Sequence, residues 1–219
     1  MQNALFSALS LLLVLGAGSP ARVQPSAQQG FTIPAESGWS VHELVARYAQ
    51  LTGASISFTE EGQDLARKTQ LVLDSPLEVD PANIHAVVES LLLRYDFILT
   101  ELRTDGPRML AVDALNGRNR PNLIRKAVFV PSTGLDEFED RAATVVQTIV
   151  HLQEIDAQQA SNSLRSILND ANFERAIPVG DGHSVILTGN GANVARLARM
   201  LLEADRELAK QRGKKVEGK

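Results

Sequence analysis

Apolar residues recur with helical spacing at Val41, Leu44, Val45, Tyr48 and Leu51, a stripe that predicts a helix. Ser40 with Glu43 three residues on forms a capping-box pair. Trp39 and Leu44 sit where a hydrophobic staple closes, and Gly53 supplies the stop. Two short runs rich in β-branched and aliphatic residues follow, Ala54 to Thr59 and Thr69 to Asp74, and read as strands. Asp80-Pro81 then opens a second helix with Ile84, Val87, Val88, Leu91, Leu92 and Tyr95 on one stripe. Phe97 to Leu102 and Arg108 to Asp113 read as strands joined by a tight turn at Asp105-Gly106. The predicted order over residues 31–113 is βαββαββ.

A polar, glycine- and proline-containing stretch, NGRNRPN at Asn116 to Asn122, marks residues 114–126 as a linker to a second block at 127–205. That block opens with an edge strand at Ala127 to Val130 and an acidic loop at Pro131 to Arg141. A strand at Thr144 to Leu152 follows, then a helix from Asp156 with Ala160, Leu164, Ile167 and Leu168 inward. A hairpin of Phe173 to Val179 and Ser184 to Thr188 turns at Gly180-Asp181-Gly182. A last helix carries Val194, Leu197, Ala198, Leu201 and Leu202. The reading is βαββα, so the whole is an α+β chain of two small sandwich domains. Residues 206–219 hold six basic and two acidic residues and read as a solvated, frayed basic tail.

The first residues differ from the rest. Ala4 to Leu15 is an apolar run too short to span a bilayer, and Gly16, Ala17, Gly18 and Ser19 follow it. Residues 1–21 are therefore expected to be a signal peptide, and the mature chain periplasmic. No cysteine follows the run to take a lipid.

Composition narrows the chemistry. The chain has 219 residues, no cysteine and a formal charge of -4, which leaves no thiol, disulfide or cysteine-held metal. A mildly acidic chain is also a poor general ligand for nucleic acid. Four histidines, His42, His85, His151 and His183, are scattered. His85 and Glu89 share a helix face at a metal-compatible spacing, but no third ligand is local, so a surface or partly buried pair is expected. Glu60, Glu61 and Asp64 form one acidic group and Asp136 to Asp140 a second, both read as solvated loops. Gly189-Asn190-Gly191-Ala192-Asn193-Val194 imitates a dinucleotide turn. It lacks the third glycine and the following parallel strand, so a helix cap is expected. No catalytic, cofactor-binding or metal residue is assigned, and no cofactor is expected.

The ordered segments resemble a family. Val41-His42-Glu43-Leu44-Val45, Leu51-Thr52-Gly53-Ala54-Ser55-Ile56, Asp80-Pro81 and Leu91-Leu92-Leu93-Arg94-Tyr95-Asp96-Phe97 are similar to the first N-terminal domain of bacterial secretins. Val150-His151-Leu152-Gln153-Glu154-Ile155-Asp156-Ala157, Leu164-Arg165-Ser166-Ile167-Leu168, Ser184-Val185-Ile186-Leu187-Thr188-Gly189 and Asn193-Val194-Ala195-Arg196-Leu197 with Asp205 resemble the next, KH-like secretin domain. The pore-forming β-domain of a full secretin has no counterpart in these residues, so pore function is not carried over. The resemblance implies a non-catalytic periplasmic component of a type II secretion or type IV pilus system, working through protein partners and a homo-oligomeric ring and touching the membrane only indirectly. Two other readings stay open: an exported module that binds extended peptide by strand addition, and an exported hydrolase using Glu60, Asp64 or His183.

Overall fold

The computed structural model describes residues 30–35, 38–103, 108–118, 120–168, 173–180 and 182–217. The signal-peptide segment and the Asp105-Gly106 turn lie outside them. The architecture is α+β, with two- and three-stranded sheets in an N-terminal lobe and a four-stranded sheet in a C-terminal lobe.

Strand β1 (Phe31–Ile33) leads to helix α1 (Val41–Thr52). The expected capping box is present: Ser40 N–H donates to Glu43 Oε2 at 2.7 Å, and Glu43 N–H returns to Ser40 Oγ at 3.3 Å. These bonds to Ser40 hold the Glu43 carboxyl below its ordinary pKa. Gly53 ends the helix in the left-handed region, at φ 67°. Strand β2 (Ser55–Phe58) comes next.

Two expectations then fail. Glu60 to Lys68 is a helix, α2, not a loop, and Thr69 to Asp74 is no strand, making only one bridge between Gln70 and Ser40. Thr59 caps α2 through Gly62 N–H, acids begin the helix and Arg67 and Lys68 end it, which complements the helix dipole. Leu71 is nonetheless buried in the core, which explains the apolar run there without any ladder. Strand β3 (Leu77–Val79) pairs with β1, and helix α3 (Ile84–Arg94) starts a turn later than Asp80-Pro81 suggested. Strands β4 (Phe97–Arg103) and β5 (Met109–Ala114) complete an order of βαβαβαββ, with β2 parallel and β4 antiparallel to β5.

The 114–126 stretch contains a short helix, α4 (Arg120–Leu123), and a 3-10 turn at Ile124–Lys126, and its Leu123 is buried. Strand β6 (Val128–Phe129) follows. The acidic stretch contains 3-10 helix over Ser132–Phe138. Strand β7 (Val145–His151), helix α5 (Ala157–Leu164), strands β8 (Arg175–Val179) and β9 (Ser184–Asn190) and helix α6 (Gly191–Glu217) complete the lobe. Helix α6 thus continues through the positions expected to fray. The sheet runs β6-β7-β9-β8. Helices α5 and α6 cover one of its faces, packing Ala160, Leu164, Val194 and Leu201 on Val146, Val150, Val185 and Leu187.

A third cluster, Ile98, Leu123, Val145 and Phe173, fills the seam between the lobes. There Leu99 N–H donates to Ala143 C=O at 2.8 Å, so the two sheets touch through backbone as well.

Candidate interaction surfaces

Glu60 and Asp64 lie apart from His183. Glu60, Glu61 and Asp64 line a shallow depression on α2 with Leu65 and Arg118, and Glu61 accepts the Arg118 N–H at 3.1 Å. His183 belongs to the other lobe, in the turn before β9, where its backbone C=O accepts from Leu152 N–H. His42 stacks on Phe58, and His151 Nδ1 lies 2.9 Å from Ser184 Oγ. Among the described residues no three metal-type side chains converge, and no helix is long and apolar enough to cross a membrane.

The glycine-rich turn is filled by its own chain. Asn190 Oδ1 caps the N–H of Asn193, and the Asn193 and Asn190 amides both donate to the buried Glu174 Oε1. A Cβ on Gly191 would meet the Arg141 carbonyl oxygen at 2.8 Å, and one on Gly189 the Glu174 Cγ at 3.1 Å. Both glycines therefore permit close approach inside the protein, and no phosphate cradle results.

His85 and Glu89 do come together, with two partners that sequence spacing did not reveal. Tyr48 Oη lies 2.7 Å from His85 Nδ1 and 3.3 Å from Glu89 Oε1, and Arg141, from the connection before β7, reaches all three side chains. Glu89 Oε2 accepts the backbone N–H groups of Ala143 and Thr144 and the Thr144 hydroxyl, at 3.1, 3.0 and 2.8 Å. Residues of α1 and α3 thus grip the strand entering the second lobe. Burial pushes the pKa of Glu89 up against the opposing pull of Arg141 and Thr144. Burial and the Arg141 charge push His85 down to about 4, so it is neutral at pH 7. Burial also raises Tyr48. The arrangement holds two lobes together and leaves no free nucleophile.

The outward-facing surface is the sheet face opposite α5 and α6, beyond the end where Val145 packs into the seam. Cross-strand register places Ile177 of β8 opposite Ile186 of β9, and Ile186 opposite Ile149 of β7. Alternation puts all three on the face away from α5 and α6. Val179 and Phe129 share that face and are 41% and 56% exposed, as Ile177 is at 45%. The isoleucines cross β7, β9 and β8, and Phe129 of β6 lies in the neighbouring row with Gln147, Thr188 and Arg175. A coherent row of this kind marks a contact surface more than scattered single residues do.

No protein-family model and no curated protein matches the sequence. Solved structures do. A chain of the Klebsiella pneumoniae type II secretion system outer membrane complex of PulD, PulS and the PulC HR domain aligns with a TM-score of 0.55 and 15% identity, over 82% of this chain and 26% of that one. This chain therefore spans about a quarter of that neighbour's length. The N-terminal domain of the secretin XcpQ from Pseudomonas aeruginosa aligns at 11% identity over 84% of this chain and 67% of that one, with a TM-score of 0.26. The enterotoxigenic Escherichia coli GspC–GspD complex aligns at 12% identity over 81% and 99%, with a TM-score of 0.27. Over most of its length the chain shares its fold with part of that Klebsiella type II secretion complex chain.

Proposed function

We propose that this chain is a non-catalytic, exported assembly component of a secretion or pilus machine, made of two secretin-type domains at 31–113 and 127–205 joined by residues 114–126. Its second domain is KH-like, a reading supported by the order β7-α5-β8-β9-α6. The export signal is residues 1–21. The observation that carries the reading is the isoleucine row, Ile149, Ile186 and Ile177, on the part of the sheet face that the seam around Val145 leaves open. Covering that face removes apolar area at roughly 25 cal/mol per Å², a driving force that a partner or a second copy supplies. Charge complements it. Arg165 and Arg175 are exposed beside β8, and Asp136 and Glu137 are exposed on the 3-10 segment after β6, where Asp136 also meets Arg199 of α6. Copies can therefore pack head to tail and close into a ring.

The experiment is light scattering of the mature chain with in-cell cross-linking. Self-association, or cross-links to envelope secretion components, that Ile177→Asp and Ile149→Asp abolish is the expected result. A protein that stays monomeric and cross-links to no such component overturns the reading.

One feature favours strand addition of an extended peptide as a second reading. Ser55 N–H bonds Arg108 C=O, so in this parallel ladder Ser55 and Ser57 face β5 while Ile56 and Phe58 turn their backbone groups to the open edge. A peptide that binds without disturbing self-association would assign this edge a separate role.

A further inference from the structure

A polar cluster built on the fully buried Glu89 lies at the seam, and its geometry depends on one proton. Arg141 Nη1 points at His85 Nδ1. A guanidinium only donates, so that nitrogen must be an unprotonated acceptor. The Arg141 side chain also donates to Glu89 Oε1 and to Tyr48 Oη, both at 3.3 Å. It belongs to the connection running into β7, while its three partners belong to α1 and α3. Withdrawing Arg141 therefore loosens one lobe from the other without removing a core side chain of either.

We propose that Arg141 is an acid-released latch that fixes the relative orientation of the two lobes, with His85 as the group whose protonation releases it. A proton on Nδ1 would aim an N–H at the guanidinium, place two cations in contact and cancel the bond. The groups facing His85 are Tyr48 from α1, Glu89 from its own helix and Arg141 from the connection, and the Arg108 charge ahead of β5 also acts on it. Both arginines oppose a positive imidazole. With the latch open the imidazole is hydrated and takes its proton at its ordinary value of 6.5; with the latch closed the proton is excluded until about pH 4. Over that window the imidazole's protonation favours the open state by up to about tenfold per pH unit, a contribution of up to about 300-fold to the closed-to-open ratio. Glu89 acts in the opposite sense. Its pKa is raised in the closed seam, so its own protonation favours closure. The two groups share Arg141 and Tyr48, and His85→Asn separates them by removing the imidazole titration alone.

The chain contains no cysteine, so two can be introduced for spin labels at exposed positions, Val72 in one lobe and Met200 in the other. Pulsed electron spin resonance of the doubly labelled full chain should give one narrow distance at pH 7.5. That distance should broaden between pH 6.5 and 4 with unchanged far-UV circular dichroism. His85→Asn, whose carbonyl oxygen accepts from Arg141 and does not titrate, should stay narrow throughout, and Arg141→Met should be broad already at pH 7.5. A wild-type distance that holds to pH 4, a His85→Asn protein that broadens with the wild type, a narrow Arg141→Met protein, or loss of secondary structure at the pH of broadening overturns the proposal.

Discussion

The carboxylate of Asp205, on helix α6, receives the backbone N–H of Ile155 at 2.8 Å, and the same group takes the N–H of Gln153 and Glu154 at the same distance. One side chain thereby satisfies three consecutive donors of the turn between β7 and α5. The turn would otherwise point three unpaired N–H groups at a buried carboxylate position. Asp205→Ala should destabilise the C-terminal lobe by about 2–4 kcal/mol, since bonds to a charged acceptor are among the stronger ones. Urea unfolding followed by circular dichroism checks this; a loss under 1 kcal/mol would show that water replaces the carboxylate at little cost.

The same contact has a pH signature. Burial raises the pKa of Asp205, but the bonds from Gln153, Glu154 and Ile155 outweigh it and leave the group below its ordinary 3.8. A depressed carboxyl contributes stability above the unfolded value that disappears as pH falls through the folded one. The contribution of Asp205 should therefore be complete above about pH 5 and shrink below 3.8. Midpoints of wild type and Asp205→Ala should converge there, and parallel curves down to pH 2 would refute the assignment.

Gly191→Ala tests what the glycine-rich turn is for. The added methyl group meets the Arg141 carbonyl oxygen at 2.8 Å and the Phe138 and Arg141 Cβ atoms at 3.2 Å, inside a packed joint. Backbone on one side and two Cβ atoms on the other leave little room to relax. A loss of about 1–3 kcal/mol is expected from overpacking, read as a lowered Tm. A neutral substitution would mean that the connection shifts freely.

How far these features were legible depends on how local their causes are. Helix α1 could be read because its cap, staple and glycine stop lie within a few residues of one another. Helix α2 escaped because only Ala66 and Gly62 of its residues are buried, so it carries almost no apolar stripe. Its signals were Thr59 and the ordering of Glu60, Glu61, Arg67 and Lys68, which act through capping and the dipole. Three-residue strands such as β3 offer too short a pattern for alternation to show. The isoleucine row required register, which brings Ile149, Ile177 and Ile186 together from three separate strands and is set by packing. His85 and Glu89 could be paired from spacing alone, but Tyr48 and Arg141 reach them only through the fold, and nothing around Arg141 in the sequence announces that contact.

Thr148 offers a stabilising change. Its side chain is fully buried on the inner face of β7, and its hydroxyl has no hydrogen-bond partner among the described residues. Valine has the same shape without the unpaired oxygen. Thr148→Val should raise stability by about 1 kcal/mol, the cost of leaving such a hydroxyl dry and unbonded. A lowered urea midpoint would show that the hydroxyl is bonded after all.

Leu123 provides the last test, of how the lobes are coupled. It is fully buried in the seam with Ile98 from β4, Val145 from β7 and Phe173, so its side chain touches both sheets' ends at once. Each lobe also has its own cluster, one around Leu44, Tyr48 and Leu92 and the other around Val150, Leu187 and Leu197. Removing the leucine leaves those two intact and hollows only the joint. Leu123→Ala should cost about 2–4 kcal/mol of stability, the usual range for a cavity of that size. It should also change the form of the transition. With the joint filled the lobes unfold together; with it hollowed, the less stable lobe melts first and calorimetry resolves two peaks. A single transition displaced to lower temperature would instead show that the Glu89–Thr144 contacts and the Leu99–Ala143 backbone bond suffice to keep the two lobes one cooperative unit.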